Sequence, residues 1–317
     1  MDAMLVTRLP RLLMCRPRFF AVTYCINPWM KPDVWASGGK AFVGRAARQW
    51  SALHRAVRDA GAHIDLVEPH PGLPDLVFTA NAAVVLDGKA LLARFRHPER
   101  QREEPVFAAS FRVLQARGLI GAIAEMPQHV PLEGAGDCIF DPRRDLFWIG
   151  SGPRSHPAAS EVVQEVFGVR CITLPLIDPR FYHLDTAFCV LPCGAVIHYP
   201  AAFTAAGLAT IRRNVGPTDR IELDRVDAER FAANAVCFGR TLILSSASVA
   251  LRRRLEERGY TIIATPLDAF QRSGGSACCL TLRLDHRSRT SNATGVLADR
   301  VALSGNRGRF LESVVRD

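Results

Sequence analysis

The 317-residue chain reads as one α/β ring built from repeated strand–strand–helix–strand modules. Three observations predict this. Strand-like runs that open a module begin near residues 82, 137, 187, 235 and 278, a spacing of roughly 40–55 residues, the period of propellers and solenoids. The first four are each followed by a turn and a second strand, so the unit starts with a hairpin; a doubly wound sheet would alternate single strands with helices. One helical stretch and one further strand complete each unit, which separates an α/β ring from an all-β propeller.

Residues 1–20 read as irregular, with Arg and Pro recurring. Ala21–Ile26 reads as a strand ending in Asn27-Pro28-Trp29-Met30, residues 31–40 as a loop, Ala41–Ala60 as a helix closed by Gly61, and Ile64–Val67 as a short strand. The first full unit has strand Asn81–Leu86, the hairpin signal Asp87-Gly88, strand Ala90–Phe95, helix Glu104–Arg117 closed by Gly118, and strand Ala122–Met126. The second runs through strands Asp137–Phe140 and Leu146–Ile149, helix Ala158–Phe167 and strand Cys171–Leu176. The third has strands Ala187–Leu191 and Ala195–Tyr199, helix Ala205–Asn214 and strand Arg220–Leu223. The fourth has strands Ala235–Phe238 and Thr241–Ser245, helix Val249–Arg258 and strand Thr261–Thr265. A last strand opens at Cys278-Cys279, and the N-terminal segment is expected to close the ring against it. The domain then covers 21–285. Residues 286–317 form a polar tail, disordered or a peripheral arm, broken by a short Arg309–Val315 segment.

Composition narrows the class. Hydrophobic content of 48% with 22% charged residues is that of a soluble globular protein. No apolar run approaches the ~18–20 residues of a membrane span. Leu9–Met14 is interrupted by Pro10 and Arg11, so no signal peptide is read. Nine cysteines without framework spacing point to reduced thiols and a cytoplasmic protein. The net charge of +9 is almost all arginine, since lysine occurs at Lys31, Lys40 and Lys89 alone. These arginines are dispersed and not interleaved with aromatics, which favours solvated helix faces over a nucleic-acid surface.

Chemically capable residues recur at one place in every unit, just before or at the first strand. They are Asp75 and Asn81, Glu133 and Asp137, His183 and Asp185, Asn234, and Cys279. Equivalent positions in a ring face a common axis, so these groups should converge on one site. A Cys with a His supplies a nucleophile and a proton carrier, and a carboxylate beside the His fixes its tautomer. Carboxylates beyond that need suggest a cationic substrate, and a planar guanidinium suits them best. Blander readings exist for each: a structural histidine, a turn Asp75, a capping Glu133, strand-start Asp137 and Asp185, and a core Cys278. A zinc site from Cys278, Cys279 and His183 lacks paired CxxC spacing.

Four motifs then occur in order: Pro74-Asp75-Leu76-Val77-Phe78-Thr79-Ala80-Asn81-Ala82, Glu133-Gly134-Ala135-Gly136-Asp137, His183-Leu184-Asp185-Thr186, and Gly274-Gly275-Ser276-Ala277-Cys278-Cys279-Leu280-Thr281-Leu282. Together they resemble the guanidino-group-modifying superfamily over about 21–285. The resemblance implies a five-fold pseudosymmetric α/β-propeller with a central active site. It implies Cys279 as nucleophile, because Thr281 follows one residue after it, with His183 as general acid/base and Glu133 orienting it. Asp75 and Asp185 match the guanidinium pocket, Arg100 and Arg154 the arginines that take a substrate carboxylate, and Asn27 a substrate-loop residue. Neither a metal nor a cofactor is implied; the partner is a small guanidino substrate, and a homo-oligomer is left open. Arginine deiminases and dimethylarginine hydrolases carry Asp where Asn81 stands, whereas dihydrolases resemble this chain. The leading expectation is therefore an arginine dihydrolase giving ornithine, ammonia and CO2. The alternatives are a dimethylarginine dimethylaminohydrolase, an amidinotransferase, and a non-catalytic propeller scaffold.

Overall fold

The computed structural model describes residues 9–289. Their strands are β1 (Arg11–Cys15), β2 (His63–Val67), β3 (Ala83–Leu86), β4 (Lys89–Leu92), β5 (Ala122–Glu125), β6 (Cys138–Asp141), β7 (Leu146–Ser151), β8 (Arg170–Pro175), β9 (Phe188–Val190), β10 (Val196–His198), β11 (Arg220–Glu222), β12 (Val236–Phe238), β13 (Thr241–Leu244), β14 (Thr261–Ala264) and β15 (Leu282–Arg283). They form five three-stranded sheets among the described residues: β3-β4-β5, β6-β7-β8, β9-β10-β11, β12-β13-β14 and β15-β1-β2. In each, the first pair is antiparallel and the second parallel. The parallel step needs a crossover. It is made by α1 (Pro32–Asp59), α2 (Glu104–Ala116), α3 (Ala159–Phe167), α4 (Ala205–Asn214) and α5 (Val249–Glu256). This is the five-fold α/β-propeller.

The local chemistry fits these elements. Asp87 and Gly88 both take positive φ, 55° and 76°, as a two-residue hairpin turn between right-twisted strands requires. Thr204 and Ser248 cap α4 and α5 by accepting from the amides of Gly207 and Leu251. The parallel third strands are partly exposed, whereas β3 and β7 are buried throughout, so the third strands lie at the perimeter. All five first strands (β3, β6, β9, β12 and β15) contribute residues to one axial cavity of about 420 Å3, with hairpin-turn residues Pro142, Pro192 and Gly239 at its mouth.

Four expectations need correction. The strand that closes the ring is Arg11–Cys15, inside the segment read as irregular, and not Ala21–Ile26. Leu12 through Cys15 are all buried in the middle of their sheet, so the run is continuously apolar and shows no alternation. Ala21–Ile26 joins no strand; it buries Val22 and sends Tyr24 toward Asp75. Residues 31–40 are not a loop: Pro32 opens α1, a favoured first position, and Gly39 (φ 47°) breaks the helix. Last, Ala277–Leu280 is a turn, and the final strand starts only at Leu282. Residues 286–289 run across the hairpin turns, where the Ser288 and Arg289 amides donate to Asp87 and Asp145. The rest of the expected tail, Arg309–Val315 included, lies outside the described residues.

Candidate active site

Asp75, Asn81 and Asp185 sit on short 3-10 turns, Pro74–Val77, Thr79–Ala82 and Leu184–Thr186, while Glu133 and Asp137 flank a fourth, Gly134–Gly136, and His183 directly precedes Leu184. A single tight turn can hold a polar side chain at the axis before the chain becomes a strand. Asn27, Asp75, Asn81, His183, Ser273 and Cys279 are among the residues that line a narrow cavity of about 10 Å3. As it stands this volume admits one water.

Cys279 is 3% exposed. Its Sγ lies 3.1 Å from Asp185 Oδ2 and 3.0 Å from Asn234 Nδ2. Burial, and after it the Asp185 carboxyl, push this thiol well above its ordinary range. Burial also pushes Asp185 up to about 7. The other oxygen, Asp185 Oδ1, is buried with no hydrogen-bond partner. A carboxylate left half-satisfied in a dry interior is costly, and a donor-rich cation would complete it.

His183 Nε2 is 2.8 Å from Glu133 Oε2. Burial alone would raise Glu133, but the Arg154 guanidinium, 2.8 Å away, and His183 outweigh it and hold the carboxyl well below the usual carboxylate range. An ionised Glu133 can only accept, so the histidine proton is on Nε2 and Nδ1 is the basic atom of the ring. Behind this pair, Asp137 accepts from Leu184 N (2.9 Å) and Ser155 Oγ (2.6 Å), and burial pushes it up to about 6. Asp75 accepts from Tyr24 Oη and Ser273 Oγ at 2.8 and 2.9 Å, and burial raises it too.

The structure brings the expected residues together, with different degrees of freedom. Arg100 and Arg154 line the cavity, yet each already holds a carboxylate: Arg100 makes two bonds to Glu103, and Arg154 one to Glu133. Asn81 accepts from Arg100 Nη1 (2.9 Å) and donates to the Glu133 carbonyl (3.1 Å). Asn27 donates to Ser273 O and accepts from Trp29 N. The glycine pair has two distinct causes. Gly274 has φ +85°, and a Cβ there would meet Tyr182 Oη at 2.6 Å; a Cβ on Gly275 would overlap the Phe78 ring. Tyr182 and Ser273 were missed because each stands just outside a motif, and Phe78 because an apolar ring within one carries no chemical signal of its own. Asn234 was placed in its unit without a role, and here it touches the sulfur. Cys278 is half-buried and lines the axial cavity on the far side of the ring. Among the described residues no three His, Cys, Asp or Glu side chains are placed to hold a metal.

Comparison with known proteins decides the family. Residues 19–285 match the family described as N,N dimethylarginine dimethylhydrolase, eukaryotic. The chain belongs to the dimethylarginine dimethylaminohydrolase family. It thereby falls in the guanidino-group-modifying superfamily that its motifs resemble. A bifunctional arginine dihydrolase/ornithine cyclodeaminase, ArgZ, from Synechocystis is 42% identical over 274 residues, covering 86% of this chain and 37% of that protein. The chain thus spans well under half the length of that relative. A dimethylarginine dimethylaminohydrolase from Mycobacterium tuberculosis is 36% identical over 277 residues, covering 87% of this chain and 86% of that one. The crystal structure of the N-terminal domain of ArgZ, as a substrate-bound variant, superposes with a TM-score of 0.83 at 41% identity, covering 88% of this chain and 99% of that one. Other crystals of that domain hold product or a covalently bound reaction intermediate.

Proposed function

We propose that this member of the family hydrolyses the guanidino group of arginine twice, as an arginine dihydrolase with a covalent Cys279 intermediate. The observation that carries the reading is the Cys279 thiol 3.1 Å from a buried Asp185 whose second oxygen has no partner. A guanidinium donating to Asp185 and Asp75 would sit with its central carbon against the sulfur, the near-attack placement that accelerates addition. Cys279 Sγ bonds to that carbon, its proton passing to His183. The C–N bond then breaks as His183 returns a proton to the departing nitrogen, and ammonia leaves. Water, deprotonated by His183, adds to the thiouronium carbon, and the C–S bond breaks to release thiolate and a ureido product. Repetition on that product, followed by loss of CO2, gives ornithine and a second ammonia. The site is nearly closed, so entry requires a wall segment to yield; Ile26-Asn27, held by Arg154 and Ser273, is our choice.

The dihydrolase reading rests on Asn81. An Asp there would turn an acceptor toward the carbonyl of Glu133 and toward a ureido oxygen, whereas the amide keeps one N–H free to hold that oxygen. The ArgZ likeness supports the same reading. A second reading, removal of dimethylamine from dimethylarginine, is favoured by the M. tuberculosis relative, most of whose length is matched. Nine free thiols, a small-molecule substrate and a need for neither metal nor organic cofactor complete the proposal as a cytoplasmic enzyme.

Product counting tests it. Arginine should yield ornithine with two ammonia per substrate, and Asn81→Asp should stop at citrulline with one. Citrulline accumulating one-to-one from the unaltered chain sinks the second round, and dimethylamine released from dimethylarginine in preference selects the second reading. Cys279→Ser with full turnover would overturn the covalent mechanism.

A further inference from the structure

Asn234 is fully buried at the start of the fourth unit. Its carboxamide makes three bonds: Oδ1 accepts from the Cys279 amide at 3.2 Å, and Nδ2 donates to the Asp185 carbonyl at 3.1 Å and to Cys279 Sγ at 3.0 Å. The orientation is not free. Rotating the amide would turn its oxygen onto a carbonyl and its NH2 onto an N–H, so both neighbours force the N–H toward the sulfur. Sulfur therefore sits between a donor that cannot turn away and a carboxyl, Asp185, that competes for its proton.

We infer that Asn234 is the residue that holds Cys279 as a thiolate at both moments when sulfur carries charge. These are before it attacks and as it departs from the carbon. A neutral thiol can donate to Asp185 while accepting from Asn234. Once the proton has passed to His183, an ionised Asp185 can only accept and has nothing to give the sulfur, and the Asn234 N–H remains to stabilise it. The same amide pins the Cys279 backbone, so it also sets where the sulfur stands. The inference rests on Cys279 being the nucleophile but not on which guanidine is the substrate.

Other groups around the sulfur fix what else could move its titration. They are the carboxyls of Asp185 and Asp75, the cations of Arg100 and Arg154, and the titratable His183, Tyr182 and Cys278. None of them is changed in the test variants.

The experiment reads thiolate chemistry without substrate. Iodoacetamide alkylation of Cys279, followed by mass spectrometry of its peptide so that the other cysteines do not interfere, is measured against pH. The unaltered chain is compared with the near-isosteric Asn234→Asp and with Asn234→Ala. Asp keeps the acceptor for the Cys279 amide but replaces the N–H at sulfur with a carboxyl oxygen whose charge also opposes the thiolate, so the uncharged Asn234→Ala decides the midpoint. Both variants should shift the alkylation midpoint upward by a unit or more, slowing alkylation about tenfold at a fixed lower pH. They should also lower kcat more than they raise KM. An unchanged midpoint in a folded variant overturns the inference, even with activity reduced, because that is what a purely structural amide would give. Should both variants fail to fold, the unaltered protein supplies the measurement. The Asn234 side-chain amide proton resonance should move with the same midpoint as Cys279 alkylation, and a resonance indifferent to that titration overturns the inference. A shifted midpoint in a protein that never turns over arginine leaves the inference standing and defeats only the proposed substrate.

Discussion

Asp185 shows how one buried group can be held against its own preference. Its carboxyl rises to about 7 because burial disfavours the charge, yet the proposed reaction needs it ionised to receive a guanidinium. A raised folded value means the neutral form's contribution is fully present below the unfolded carboxylate range and is lost as pH rises through about 7. The substrate-free protein should therefore become less stable between about pH 4 and 7 on account of this group, and Asp185→Asn should remove part of that slope. The same variant should lose most turnover. If the proposed function holds, kcat/KM of the unaltered chain should fall about tenfold per pH unit well below about 7, since binding must then expel a proton. Thermal unfolding and initial rates across this range check both; a flat stability profile for both chains, or an acid limb unchanged by Asp185→Asn, would exclude Asp185 from the role. At this scale the sequence was most legible where a residue's chemistry is rare and its motif long, as for Cys279 and His183. Asn234 stayed without a role, because an amide is ordinary and its partners lie 45 and 49 residues away.

The elements that position the site are the least periodic ones. Strands and helices carry two- and 3.6-residue patterns, and apart from α1, which begins nine residues before the helix read there, the propeller helices lie within a few residues of where their spacing places them, as with Ala205–Asn214. A three-residue 3-10 turn has no room for a pattern, so the sequence reads a strand only from Asp137 and assigns Gly134–Gly136 to no element. Its geometry is nevertheless specified. Gly134 has φ +61°, and a Cβ there would meet the Ala80 carbonyl oxygen at 2.6 Å and that of Asn81 at 2.8 Å, both backbone atoms that cannot swing aside. Gly134→Ala should cost about 1–3 kcal/mol of stability from strain. Because the turn follows directly on Glu133, it should also reduce kcat in the molecules that stay folded. Urea midpoints and active-site-normalised rates separate these effects. Loss of stability with full kcat would mean that the turn supports the fold without setting Glu133.

At the scale of the whole molecule, the site exists because the two ends of the chain are joined. Asn27 and Asp75, from the first hundred residues, bond Ser273 across 246 and 198 positions. What joins them is β1, paired in parallel with β2 and antiparallel with β15. Its closing role follows from the ring, but its location was hidden, since Pro10, Arg11, Arg16 and Pro17 surround four apolar residues that are too few to show a period. Leu12 is fully buried at that junction, whereas Leu9 is 56% exposed. Leu12→Ala should therefore cost about 2–5 kcal/mol, the range for emptying a packed leucine site, and Leu9→Ala almost nothing. The sharper expectation concerns cooperativity. If β1 is the clasp of one ring, the Leu12→Ala chain should lose turnover along the same temperature curve as its secondary structure, because opening the sheet separates Ser273 and Cys279 from Asn27 and Asp75. Circular dichroism and initial rates taken on one temperature ramp test this. Activity that disappears well before the ellipticity would mean that the site opens on its own while the ring stays shut; activity and ellipticity both matching the Leu9→Ala chain would mean that β1 is not the clasp.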